Sequence, residues 1–314
     1  MGKRILGAIC VALLVLVVGF VAFNWAPDRP VEALTARWAP PPSQFVEIDG
    51  MRVHLRDEGP RDDPRPIVLL HGTSSSLHTW DGWAESLRTG RRVIRVDLPG
   101  FGLTGPTPDG NYTIERYVAF MKATLDHFAI EHCVLVGNSF GGWIAWETAL
   151  AEPGRVDRLV LVDAAGYRLD SVSVPIGFRV AKVPVLNQLV KVTLPRGLVE
   201  SSLRNVYGDP RRVTPELVDR YFDLTTRAGN REALVQRFRQ SPPGIDAPRI
   251  AGIRTPTLIL WGGRDRLIPP VHAERFHRDI AGSQVVTFDD LGHVPQEEDP
   301  ERTLAAALPF LNAP

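Results

Sequence analysis

The sequence is poor in cysteine and has no excess charge of either sign. Two cysteines stand among 314 residues. Cys10 lies in an apolar N-terminal run and Cys133 far along the chain, at the start of a predicted strand. Neither a disulfide framework nor a cysteine-ligated zinc site is therefore encoded. The 36 basic and 36 acidic side chains cancel to a formal net charge of zero. That balance gives no global field to gather nucleic acid or steer a charged substrate, so no nucleic-acid partner is expected. No internal repeat is evident, and no motif for a cofactor or metal is read.

Apolar residues are plentiful, at 44%, enough for a large core, but they are unevenly spread. Ile5 to Phe23 contains no charged or strongly polar side chain. As a helix this run would be roughly 28 Å long, close to the roughly 30 Å hydrocarbon core of a bilayer. A cleaved signal peptide has a shorter apolar core and a small-residue cleavage site; here Phe23-Asn24-Trp25-Ala26-Pro27 offers a poor one. A helix buried in a soluble domain is the third reading. The expectation adopted is an uncleaved single-pass anchor over residues 1–23 in contact with membrane lipid, with Trp25 at the interface. Lys3 and Arg4 favour a cytoplasmic N-terminus and an extracytoplasmic (periplasmic) domain, while Arg29 and Arg37 pull the other way. Residues 24–44 include Pro27, Pro30, Pro40, Pro41 and Pro42 and read as an extended linker.

From Phe45 the pattern alternates strand and helix. Phe45–Ile48 and Arg52–Arg56 flank Asp49-Gly50, a hairpin signal. Ile67–Leu70, Arg92–Val96, Cys133–Val136, Leu159–Val162, Thr257–Trp261 and Gln284–Phe288 read as buried strands. Helical patterns cover Thr113–Phe128, Phe140–Ala151, Val271–Ile280 and Glu301–Leu311. Strands separated by helices imply an α/β fold with a mostly parallel, doubly wound sheet. Residues 166–248 break this rhythm. Pro184–Val192, Pro215–Thr226 and Arg231–Gln240 look helical, and the interval reads as a helical lid. The expected core is then 45–165 with 249–314.

Gly137-Asn138-Ser139-Phe140-Gly141 has the G-x-S-x-G form of a nucleophile elbow, and it stands where one must, between a strand and a helix. The bland reading is a serine capping a helix. A serine hydroxyl needs a base within hydrogen-bond reach. His293, in Leu291-Gly292-His293-Val294-Pro295, has the best context among eight histidines. His54, His127, His132, His272 and His277 read as solvated or structural, and His78 as a possible pocket residue. Asp265, in Gly263-Arg264-Asp265-Arg266 after a strand, is the expected acid that orients the imidazole; its two flanking arginines are candidate partners. Asp163 is the competing acid position and Asp97 reads as structural. An oxyanion hole needs backbone N–H groups aimed at the developing charge. The amides of Phe140 and Thr73, the latter in His71-Gly72-Thr73, are the expected donors.

His71-Gly72, Asp97-Leu98-Pro99-Gly100-Phe101-Gly102, the elbow with Gly142, Gly263-Arg264-Asp265 and Gly292-His293 resemble, in order and spacing, the α/β-hydrolase superfamily over about residues 45–312. The chain looks like the branch holding bacterial carboxylesterases, membrane-anchored monoacylglycerol lipases and carbon–carbon bond hydrolases of aromatic-ring degradation. The resemblance implies a triad of Ser139, Asp265 and His293. Serine at 139 argues against epoxide hydrolases and haloalkane dehalogenases, which carry aspartate there. The leading expectation is hydrolysis of a small-molecule carboxylic ester, with no cofactor. Leu186, Leu189, Val190, Leu198, Leu203 and Phe222 are candidates for an apolar lid underside. Two alternatives stand beside it: hydrolysis of a carbon–carbon bond in a vinylogous diketone, and a non-catalytic binding protein of the same fold.

Overall fold

The computed structural model describes residues 2–183, 188 and 191–313, without the side chains of residues 2–4, 10, 13, 14 and 17. The core is one eight-stranded sheet: β1 (Gln44–Ile48), β2 (Met51–Glu58), β3 (Ile67–Leu70), β4 (Val93–Val96), β5 (Cys133–Asn138), β6 (Val156–Val162), β7 (Thr257–Gly262) and β8 (Gln284–Phe288). The order is β1-β2-β4-β3-β5-β6-β7-β8. β2 runs antiparallel to β1 and β4, and every other pairing is parallel. Asp49 and Gly50 both adopt positive φ (54° and 72°), which closes the β1–β2 hairpin tightly.

Strands β3, β4, β5 and β7 are buried along their whole length because both faces are covered. Val68, Leu70 and Leu135 enter one cluster, with helices α4 (Ile114–His127) and α5 (Phe140–Ala151). Their chain neighbours Ile67, Leu69 and Val134 enter a second, with α3 (Asp81–Leu87) and the C-terminal helix Pro300–Leu311. This is the period of two of a strand, dividing one run between two cores. Thr113 caps α4 through its hydroxyl, which accepts the Arg116 N–H.

Between β6 and β7 the described residues contain no strand element and include four α-helices: α6 (Ile176–Lys182), α7 (Arg196–Val206), α8 (Pro215–Thr225) and α9 (Asn230–Gln240). The helical pattern expected over 184–192 falls mostly outside the described residues. Leu203, Tyr207, Val213 and Val218 form a small core within this lid.

The segment 24–44 differs from the extended linker its prolines suggest. It contains helix α2 (Val31–Trp38), whose Leu34 is buried with Leu103 and Leu224. Asp223 of α8 accepts from Arg29 (2.7 Å), Arg37 (3.3 Å) and Trp38 Nε1 (2.9 Å). Buried Leu34, the Asp223 carboxylate, the pairing of Asp28 with Arg231 and main-chain bonds from Ala26 and Arg29 dock what composition marks as free.

Helix α1 (Gly2–Phe23) covers the apolar run. Its described side chains are largely exposed, among them Ile5, Leu6, Val11, Val15 and Leu16. Among the described residues no helix is long and apolar enough to cross a membrane.

Candidate active site

Ser139 sits in the turn between β5 and α5 at φ 55° and ψ −116°, outside the ordinary regions for an L residue. The turn closes because of its glycines. A Cβ on Gly137 would stand 2.2 Å from the Gly141 carbonyl oxygen, and one on Gly141 would stand 2.5 Å from the carbonyl oxygens of Leu70 and His71. The strained residue is held at both ends: its N–H donates to Val162 O (3.0 Å), and its own carbonyl accepts from Trp143 (3.2 Å) and Ala165 (2.9 Å).

The structure brings Ser139, His293 and Asp265 together from three separate loops. His293 Nε2 lies 2.9 Å from Ser139 Oγ, and Nδ1 lies 2.6 Å from Asp265 Oδ2. Asp265 as a carboxylate only accepts, so the Nδ1 proton faces it and Nε2 is left to accept the serine proton. The other Asp265 oxygen accepts the amides of Leu267 (2.8 Å) and Ile268 (2.9 Å). These amides, and neither flanking arginine, satisfy it; Arg264 reaches instead to Gly208 O.

The histidine loop is clamped on several sides. Asn138 Nδ2 donates to His293 O (3.0 Å) and Val162 O (3.1 Å). His293 N–H donates to Val206 O at the end of α7 (2.7 Å). Buried Glu298 accepts the amides of Gly292, Gly208 and Asp209. Lid and histidine loop are thus joined by one carboxylate, which sequence reading did not single out.

Asp163, the competing acid, lies beside this group without bonding His293. Its Oδ1 accepts the Gly262 N–H at 3.0 Å. Burial, and then the neighbouring Asp265 charge, push its pKa well above the usual carboxylate range. Asp163, Asp265 and His293 place ligand-type atoms within 4.8 Å of one another, the one such grouping among the described residues. Both imidazole nitrogens already have partners, so the cluster reads as a hydrogen-bonded chain.

Asp97 is structural. It accepts from His54 Nδ1 (2.7 Å), Leu77 N (2.7 Å) and Leu103 N (2.7 Å). Burial alone would raise its pKa, but the His54 contact holds it far below the ordinary value. His71 donates from Nδ1 to Gly72 O (2.8 Å) and accepts the Leu98 N–H at Nε2 (3.0 Å), which fixes the Thr73 loop. His78 does not line the cavity; its Nε2 meets Trp38 O (2.9 Å), and burial lowers its pKa to about 3.

Phe140 is the first residue of α5, so its N–H has no acceptor within the helix. Among the described residues neither its amide nor that of Thr73 donates to a protein group. The Gly72 loop presses on the elbow: a Cβ there would lie 3.0 Å from Ser139 Cβ. Two free amides beside a serine paired with an imidazole form an arrangement able to hold an oxyanion.

Ser139, His293, Thr73 and Phe140 face a cavity of about 650 Å³. Its wall is mainly apolar and includes Leu198, Leu203, Phe238 and Val294. Of the lid residues expected there, Leu186, Leu189 and Val190 lie outside the described residues and Phe222 is not in the wall. Phe20, at the end of α1, is. Tyr221 roofs the oxyanion loop: Ser75 Oγ lies 3.1 Å from its hydroxyl, which donates to Glu297 at 2.9 Å. No local sequence signal marks Phe20 or Tyr221.

Residues 65–300 match the alpha/beta hydrolase fold family. A 2-hydroxy-6-oxo-2,4-heptadienoate hydrolase of Pseudomonas putida is 32% identical over 284 residues, covering 86% of this chain and 96% of its own. The crystal structure of a meta-cleavage product hydrolase from Pseudomonas fluorescens superposes with a TM-score of 0.74 at 27% identity, over 86% of this chain and 97% of that one. The structure of a membrane phospholipase A matches with a TM-score of 0.73 at 25% identity, over 100% of both chains. With the elbow, the sheet order and these relatives in agreement, the chain belongs to the α/β hydrolase fold family.

Proposed function

We propose that the protein is a serine hydrolase that cleaves carboxylic esters with apolar acyl chains. The observation that carries this reading is the mainly apolar cavity of about 650 Å³ with the Ser139–His293–Asp265 chain at its floor. Ser139 Oγ attacks the acyl carbonyl carbon while His293 Nε2 takes its proton. The amides of Thr73 and Phe140 receive the oxyanion. Collapse of the tetrahedral intermediate breaks the C–O bond, and His293 returns the proton to the departing alkoxide. Water then attacks the acyl-enzyme, giving one proton to His293, and the carboxylic acid leaves as that proton returns to Ser139.

The exposed apolar face of α1 and the presence of Phe20 in the cavity wall support a substrate drawn from a lipid environment. We read residues 1–23 as a membrane anchor with the catalytic domain on the extracytoplasmic side. The full-length match to a membrane phospholipase A favours that reading, since the meta-cleavage product hydrolase covers 86% of the chain. Deletion of residues 1–23 should give a soluble active enzyme; a folded truncate that stays with the membrane fraction defeats the anchor. Protease digestion of intact spheroplasts tests the side, and protection of the domain would reverse it.

The second reading is carbon–carbon bond hydrolysis on the same triad, favoured by the 32% identical Pseudomonas putida relative. Comparing kcat/KM across p-nitrophenyl esters of rising chain length, monoacylglycerols and a ring-cleavage diketone separates the two. Turnover of the diketone alone would overturn the ester reading.

A further inference from the structure

Three basic side chains line the cavity, Lys182, Arg231 and Arg237, and among the described residues no acidic side chain does. Arg237 on α9 is 5% exposed. The other buried arginines meet carboxylates: Arg95 meets Glu58 and Arg231 meets Asp28. Arg237 has no such partner among the described residues, and its Nε makes no hydrogen bond. Its guanidinium lies instead on aromatic faces, 4.0 Å from the Phe140 ring centre and 5.0 Å from that of Phe238. Lys182 Nζ lies 4.8 Å from the same Phe238 ring.

Burying a cation without an anion is costly, and ring faces offset only part of that cost. Burial lowers the Arg237 pKa to about 10, so the group stays charged at neutral pH. Lys182 is lowered too, by burial and then by the nearby Arg237 charge. A planar guanidinium with open donors matches a carboxylate or phosphate in a bidentate pair. With no acidic side chain in the wall among the described residues, an arriving anion meets no repelling charge.

We infer that Arg237, assisted by Lys182, forms an anion subsite, and that the substrate is an apolar ester that also carries a carboxylate or phosphate. This deepens the reading of Ser139 as the nucleophile and rests on it. The oxyanion amides serve charge that develops during reaction; Arg237 serves charge the substrate already has. Phe140 links the two, giving its amide to one and its ring to the other.

The test uses the full-length protein in neutral detergent micelles and two matched pairs. One is p-nitrophenyl hexanoate against mono-p-nitrophenyl adipate; the other is 1-oleoylglycerol against 1-oleoylglycerol 3-phosphate. In at least one pair the anionic member should exceed the neutral one in kcat/KM by about tenfold or more, the scale of a charge-assisted hydrogen bond. Arg237→Met should erase that ratio and Arg237→Lys should keep part of it. The pair that responds identifies carboxylate or phosphate. A merely structural arginine would lower both members together and leave the ratio unchanged. A wild-type ratio near one in both pairs, or a ratio unaltered by Arg237→Met, overturns the subsite. Should Arg237→Met not fold, Arg237→Gln carries the same comparison. If the wild type cleaves no ester, the ester reading fails by itself. The subsite is then read from fluorophosphonate labelling of Ser139, which adipate or glycerol phosphate should slow in wild type and not in the Arg237 variant; equal slowing in both overturns it.

Discussion

The floor and the roof of the cavity are built on opposite principles. The floor is a set of backbone turns pressed together until only glycine fits, with Ser139, His293 and Asp265 each assigned a partner and two amides left free. The roof is a set of helices held by side chains, with a buried arginine left open. An added Cβ at Gly141 meets two carbonyl oxygens at 2.5 Å, whereas one at Gly177, in the α6 part of the wall, meets nothing within 4 Å. Chemistry that tolerates little misplacement sits on the rigid side. Selection among substrates falls to the side that can be rebuilt without disturbing it.

Removing the floor's reacting groups should have the largest effect. Ser139→Ala should cut turnover by about four orders of magnitude or more, with His293→Ala comparable. Circular dichroism should show both folded, and near-normal turnover in either would remove that residue from the mechanism. A finer cut separates the neighbouring acids. Asp265→Asn should cost about 10³–10⁴ in kcat, because the imidazole loses its orienting carboxylate. Asp163→Asn leaves the His293–Asp265 contact in place and should change kcat less than about tenfold. Equal losses would mean that Asp163 shares the triad role.

Stability should show the same asymmetry. Gly141→Ala forces a methyl against backbone and should cost about 3 kcal/mol, seen as a lower denaturant midpoint. Asp223→Ala removes the carboxylate that holds Arg29, Arg37 and Trp38, at about 1–2 kcal/mol; limited proteolysis should then cut within residues 24–44. Gly177→Ala, in an open helical position, should be neutral or stabilising by up to about 1 kcal/mol. A large loss there would show that the roof is as tightly packed as the floor.

The same contrast explains what was legible in the sequence. The elbow is a local pattern, since glycines two residues either side of Ser139 are demanded by one turn and can be seen in five letters. His293 and Asp265 follow strands whose apolar runs are themselves readable, so the triad could be expected before its 2.9 Å and 2.6 Å contacts were visible. The roof has no such local grammar. Arg237 stands among ordinary helical charges, and its lack of a partner is a property of the fold. Helix α2 was obscured by the prolines around it, and its partner Asp223 lies 186 residues from Arg37. Asp163 and Asp265 look alike as letters after strands; only the fold shows that Asp265 reaches His293 while Asp163 meets the Gly262 amide.

The docking of residues 24–44 bears on how substrate is found. A domain on a slack tether tumbles, and its opening points in every direction in turn. Here Asp223 fastens the segment to α8, and Ala26 N–H donates to Val192 O (3.1 Å) just beyond α1. The helix and the cavity therefore share one heading, like a mast stepped into a hull. If α1 lies in lipid, the search for substrate becomes two-dimensional, and a molecule sliding along that helix meets Phe20 before it meets water.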